Sequence, residues 1–179
     1  MTKFILVIFF FVLSITSFSQ NKSLAINAGP TVSLPAYTSS FGNNHTYGIG
    51  IEANVTRSFS KHFSYKISSG FQHFTGKIET FNSENLSYNI IPVLFSLRYH
   101  YKPVFIGLET GPLVSISKSA TTHNTINPSL GVNLNKLQIE VKLINVLGMA
   151  SIPENSFLVS GGYGLYSITL TYSLYYKNH

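Results

Sequence analysis

The strongest constraint on this 179-residue chain is an alternation of apolar and polar residues, repeated in eight separate stretches. The last of them, "YSITLTYSLYY", shows it best. Tyr166, Ile168, Leu170, Tyr172, Leu174 and Tyr176 fall on one parity, and Ser167, Thr169, Thr171, Ser173 and Tyr175 on the other. Successive side chains of an extended strand point to opposite faces, so this reads as a strand with one greasy face and one hydroxyl face. The eight stretches run over residues 23–34, 47–57, 62–75, 87–101, 104–117, 126–135, 137–147 and 164–176. β-Branched and aromatic residues crowd them, and helical periodicity is poor.

The spacers alternate in length. "SFSK", "KP" and "K" follow the second, fourth and sixth stretches, whereas the other connections are long, such as "PAYTSSFGNNHT" and "GMASIPENSFLVSGGY". Eight strands joined in chain order by alternating tight turns and long loops predict an all-β fold, an eight-stranded antiparallel up-and-down transmembrane β-barrel. In that class the short turns and both termini face the periplasm and the long loops face outward.

The solvent of the greasy face follows from the charges on the other one. Charged residues make up 10% of the chain, against ~25% in soluble domains. A soluble sandwich or lipocalin-like binder turns its polar face to water and needs charges on every strand. Here the polar face is Gly, Ser, Thr and Asn, with Glu52, Glu109 and Glu140 balanced by Lys66, Arg98 and Lys142. Such a neutral set fits a closed interior, because buried charges must be paired. Glu52 should come close to Lys66 across the second hairpin. The six form a predicted lumen cluster, a structural salt-bridge core with gating of a small conductance as the alternative. Gly29, Gly48, Gly50, Gly70, Gly107, Gly111 and Gly131 share that face, leaving room for Arg98, Lys66, Phe74, Phe105 and Leu113. An eight-stranded barrel is just wide enough for side chains to fill it, so a plugged lumen is expected.

Outward aromatics at strand ends, Phe63, Tyr65, Tyr99, Tyr101, Tyr166, Tyr172 and Tyr176, are the expected lipid-interface girdle. Lys22, Arg57, Lys61, Lys102, Lys136 and Lys177 gather at the short-turn end, a basic rim suited to anionic head groups. Pro30, Pro92, Pro112 and Pro128 lie within strands, where bulges or rim positions are expected. Ile144 breaks the assigned parity of the seventh stretch, and a bulge near Asn145 would restore it.

The N-terminus, "MTKFILVIFFFVLSITSFSQ", has a basic Lys3, a ten-residue apolar run over 4–13, and small residues Ser17 and Ser19. It reads as a secretory signal peptide over 1–19, followed by a barrel domain over 20–179. An uncleaved anchor helix is the alternative. Cysteine is absent, which excludes disulfides, thiolate metal sites and a lipoprotein anchor.

No chemistry-bearing motif stands out. The six histidines lack ligand spacing, and neither Gly48-Ile-Gly50 nor 161–164 forms a GxGxxG before a helix. No metal, no cofactor and no nucleic acid is expected. A lipid-modifying enzyme would need a Ser or His oriented by a polar group. His45 and His123, placed in outer loops near Ser and Thr, are the nearest candidates, but the expectation is a non-enzyme. Outer-membrane lipid is the expected partner of a monomer, with periplasmic or secretion-machine proteins as further partners.

The segment "YNIIPVLFSLRYHYKPVFIGLETGPLVS", 88–115, resembles the centre of small outer-membrane β-barrel proteins of Bacteroidota-type bacteria, the PorT-like, OmpA-barrel-like group. Ile91-Pro92, Leu94, Tyr99, Gly107 and Gly111-Pro112 carry the resemblance, and "SFSQ" is similar to the end of their signal sequences. The tail Lys177-Asn178-His179 departs from the aromatic end of many barrels. The resemblance implies outer-membrane residence, and one member type serves protein secretion.

Overall fold

A computed structural model describes residues 23–36, 45–76, 87–116, 122–146 and 164–178. The signal segment 1–19, Lys22 and most of each long connection lie outside the described residues. Eight strands follow one another: β1 (Ser23–Pro35), β2 (His45–Ser58), β3 (Phe63–Gly76), β4 (Tyr88–Tyr101), β5 (Val104–Ser115), β6 (Thr122–Leu134), β7 (Leu137–Val146) and β8 (Gly164–Asn178). Each pairs antiparallel with its neighbours in chain order, and β1 pairs with β8, so the sheet closes into a barrel.

Closure leaves no edge strand unpaired. The short turns are built for tight reversal. Lys102 and Asn135 open the β4–β5 and β6–β7 turns with φ of 56° and 55°, the positive values that match the right-handed twist of a two-residue hairpin. In the β2–β3 turn, Ser60 Oγ accepts from the backbone N–H groups of His62 and Phe63. Each turn is tied to the next hairpin through a 2.7 Å bond. The His62 carbonyl accepts from His100 N–H, the Pro103 carbonyl from Asn133 N–H, and the Lys136 carbonyl from Ser173 N–H.

Polarity is inverted relative to a water-soluble domain. Among the described residues, twenty-two buried side chains are polar or charged and eight are apolar, while thirty-two large apolar side chains are exposed. The exposed set runs around the barrel, for example Ile49, Ile51, Val93, Phe95, Ile106, Leu108, Leu130, Val141, Ile168 and Leu170. A continuous apolar exterior is satisfied by hydrocarbon, and a closed barrel satisfies every backbone hydrogen bond within lipid. The chain therefore folds as a membrane-spanning barrel.

Two local expectations are corrected. The four in-strand prolines cause no register shift. Pro30, Pro92, Pro112 and Pro128 each stay paired on one side, with Ile51, Leu113, Asn124 and Leu108, and the ladder is interrupted only on the other side. A strand residue directs its N–H to one neighbour, so a missing donor costs one ladder only. No bulge follows Ile144 either. Glu140, Lys142, Ile144 and Val146 are all buried in one unbroken alternation, because the lumen turns apolar toward the long-loop end. There Ile144 and Val146 pack with Phe74, Ile90, Leu113 and Leu165, and Tyr88 lies against them. Besides a register shift between His45 and Gly48 in β2, there is a bulge in β8. Tyr175 pairs with Ile26 and Ser173 with Asn27, so Leu174 is an extra residue.

Leu170 is 42% exposed and lies opposite Ile139 on the outer face. Leu170→Arg is expected to destabilise the barrel by ~2–4 kcal/mol in bilayers, as at a midplane lipid-facing site. Urea titration in liposomes checks this, and a near-neutral result would place that face elsewhere.

Candidate functional site: a charged belt and its two ends

The charged residues of the polar parity meet at one level of the lumen. Glu52 comes from β2, Lys66 from β3, Arg98 from β4, Glu109 from β5, and Glu140 and Lys142 from β7. Each is inward by strand alternation, and all six are buried. Lys66 Nζ contacts all three carboxylates: Glu52 at 3.4 Å, Glu140 at 2.9 Å, and Glu109 in its shortest contact. Arg98 Nη2 lies 2.6 Å from Glu140 and 3.9 Å from Glu109. Lys142 Nζ lies 2.5 Å from Glu52, 3.5 Å from Glu109 and 3.7 Å from Glu140. Three cations and three carboxylates form one neutral network in which every member touches at least two of opposite sign.

Arg98 is held by further contacts. Its Nη1 donates to Gln138 Oε1 at 3.2 Å, and Gln138 Nε2 donates to Asn133 Oδ1 at 2.6 Å. The guanidinium also lies 4.4 Å from the Phe105 ring centroid, a cation–π contact. Glycine makes this possible. A Cβ on Gly107 would approach Ser129 Oγ to 2.7 Å and Arg98 Cγ to 3.1 Å, and one on Gly131 would run into the Phe105 ring. Beside the belt, Thr31, Ser33, Ser167 and Thr169 share hydroxyl bonds of 3.0–3.1 Å, and Ser33 donates to Gln72 Oε1.

The lumen has two unlike ends. The apolar cluster fills the long-loop end. His45, expected in an outer loop, is the first residue of β2 and is buried against Phe74 and Tyr88, with ring centroids 6.5 and 5.9 Å away. His123, also expected in a loop, lies within β6. The short-turn end opens into a polar cavity of about 590 Å³.

The girdle residues are distributed as follows. Phe63, Tyr65, Tyr99 and Tyr101 lie outward at the short-turn ends of β3 and β4, where Phe63 meets Tyr99 at 5.2 Å and Tyr65 stacks on Phe95 at 6.4 Å. Tyr172 and Tyr166 face outward on β8, opposite Leu137 and Leu143. Tyr176 does not belong with them. The extra residue Leu174 reverses the parity, so Tyr175 points outward beside Ile26, while Tyr176 faces Ala25 and lines the polar cavity. A bulge adds one residue to one strand, and everything beyond it changes face.

No protein-family model matches the chain, and no curated protein matches it. Solved structures similar to the chain include the following three. The de novo designed TMB2.3 has 10% identity and a TM-score of 0.44, covering 88% of this chain and 99% of the other. Neisserial surface protein A has 11% identity and a TM-score of 0.38, covering 87% and 98%. The attachment invasion locus protein Ail of Yersinia pestis, solved with the heparin analogue sucrose octasulfate, has 10% identity and a TM-score of 0.35, covering 86% and 99%.

Removing one member of the belt leaves a buried charge without its counterpart. Glu52→Gln and Lys142→Met are each expected to cost ~3–5 kcal/mol. The double variant should be clearly milder than the sum, which urea unfolding of all four proteins measures. In planar-bilayer recording the wild type should show no stable conductance of porin size; an open pore of that size would contradict a filled lumen.

Proposed function

We propose that this is an integral outer-membrane barrel whose lumen is a structural core. On this reading its biological role lies in what the outer loops bind. The observation that carries the reading is the inverted polarity, an apolar exterior around a neutral interior filled from the belt to the apolar plug. Three things support the outer membrane as its location. They are the alternation of short turns and long connections, the signal-like segment 1–19, and the resemblance of 88–115 to PorT-like, OmpA-barrel-like proteins. A soluble lipocalin-like binder with this exterior would expose its apolar residues to water. The role is non-catalytic on this reading: His45, one of the two candidates for a lipid-modifying centre, is packed against the rings of Phe74 and Tyr88.

A second reading is an accessory of a protein secretion or gliding machine. The basic short-turn rim favours it, with Arg57, Lys61, Lys102, Lys136 and Lys177 at that end.

Fractionation tests the primary reading. The protein is expected in the outer-membrane fraction, released only by detergent, and running faster on gels unheated than boiled. Recovery from the soluble periplasmic fraction without detergent would contradict it. Mass spectra of lipid A from a deletion strain should match the parent.

A further inference from the structure

The cavity at the short-turn end differs chemically from the rest of the lumen. The belt is balanced within itself, but the mouth is not. Lys61, Lys102 and Lys136 line it, one from each of the three short turns, and among the described residues no carboxylate does. Among the described residues none of the three has an ion-pair partner at all. The wall between them is mostly hydroxyls and carboxamides, including Asn27, Asn133, Asn135 and Gln138, with Ala25, His100 and Leu137 among them. A cationic rim over a polar wall without a countercharge selects an anion.

Two features show that this mouth is formed in advance. The three turns that carry the lysines are each bonded through a backbone carbonyl to the next hairpin. The bulge at Leu174 swings Tyr176 away from the outer face and over the opening. Bulges commonly re-aim a side chain at a site.

We propose that the short-turn mouth binds an acidic peptide segment, with Lys61, Lys102 and Lys136 meeting its carboxylates and Tyr176 packing on its backbone. A peptide suits the mouth better than a compact phosphate. The cations come from three separate turns that line the opening, which suits charges spread along a chain. The carboxamides supply donors and acceptors together, as peptide groups require. The cavity is about 590 Å³, within the ~300–1,000 Å³ of pockets that enclose a ligand of a few residues. Which compartment supplies the peptide rests on the membrane reading above, in which short turns face the periplasm; the binding itself does not.

Fluorescence anisotropy of labelled hexaglutamate against the barrel purified from membranes in detergent tests this. Heat-modifiable mobility of the same sample confirms the fold, so a failed binding result is distinct from a failed membrane reading. Saturable binding is expected at low salt, weakening as salt rises, with hexaglutamine at least about tenfold weaker. Combined Lys61→Gln, Lys102→Gln and Lys136→Gln should weaken binding by about tenfold or more. Tyr176→Ala should weaken it several-fold at unchanged charge, which a diffuse basic surface would not produce. Absent or non-saturable binding overturns the proposal. So does undiminished binding in the triple-lysine variant or in Tyr176→Ala. Tighter binding of inorganic tripolyphosphate than of hexaglutamate would assign the mouth to phosphate and overturn the peptide.

Discussion

Six charges inside a ring that excludes water are the constraint on which this structure rests. An unpaired buried ion costs several kcal/mol, so each must find its counterparts within reach. The belt achieves this with every carboxylate shared between cations from different strands. Lys66 of β3 meets Glu140 of β7, Arg98 of β4 meets the same carboxylate, and Lys142 of β7 meets Glu52 of β2. These contacts cross the lumen between strands that are not neighbours in the sheet. They also oppose slippage: a shift by one residue would turn the charges to the apolar exterior, where an ionised side chain is expensive.

Everything else in the lumen follows from making room for that belt and closing it. Gly107 and Gly131 give up their side chains to Arg98 and Phe105. Serine and threonine fill the flank by β1 and β8 with mutually bonded hydroxyls. Toward the long connections the lining becomes Phe74, Ile90, Leu113, Ile144, Val146 and Leu165, a small apolar core inside a barrel whose outside is also apolar. The opposite end stays polar and open. The molecule is thus sealed in the middle and at one end, and its exposed chemistry is at the rims.

Much of this was legible in the sequence, because strand parity is a one-bit code. Once eight alternating stretches are recognised, each residue has a face, and the six belt charges fall on the same one. The strand limits differ by few residues, most at β6, whose first residues Thr122–Thr125 are polar and read as loop. The failure at Tyr176 arises because parity carries no label for a skipped count. "TYSLYYK" holds no sign of an extra residue at Leu174, so parity alone places Tyr176 on the outer face. Ile144 was the reverse case. An apolar residue on the polar parity suggested a bulge, whereas the strand continues and the lumen itself changes character. The prolines misled because one ladder hydrogen bond can be lost without moving the register.

The central claim is that the apolar parity meets lipid while the polar parity lines a closed interior. The chain has no cysteine, so single cysteines can be introduced along β8 from Leu165 to Tyr172, spin-labelled, and measured in liposomes by power saturation against oxygen and a water-soluble nickel complex. The account predicts a period of two, with oxygen accessibility highest at 166, 168, 170 and 172 and nickel accessibility low there. Nickel accessibility peaking at those positions would contradict it.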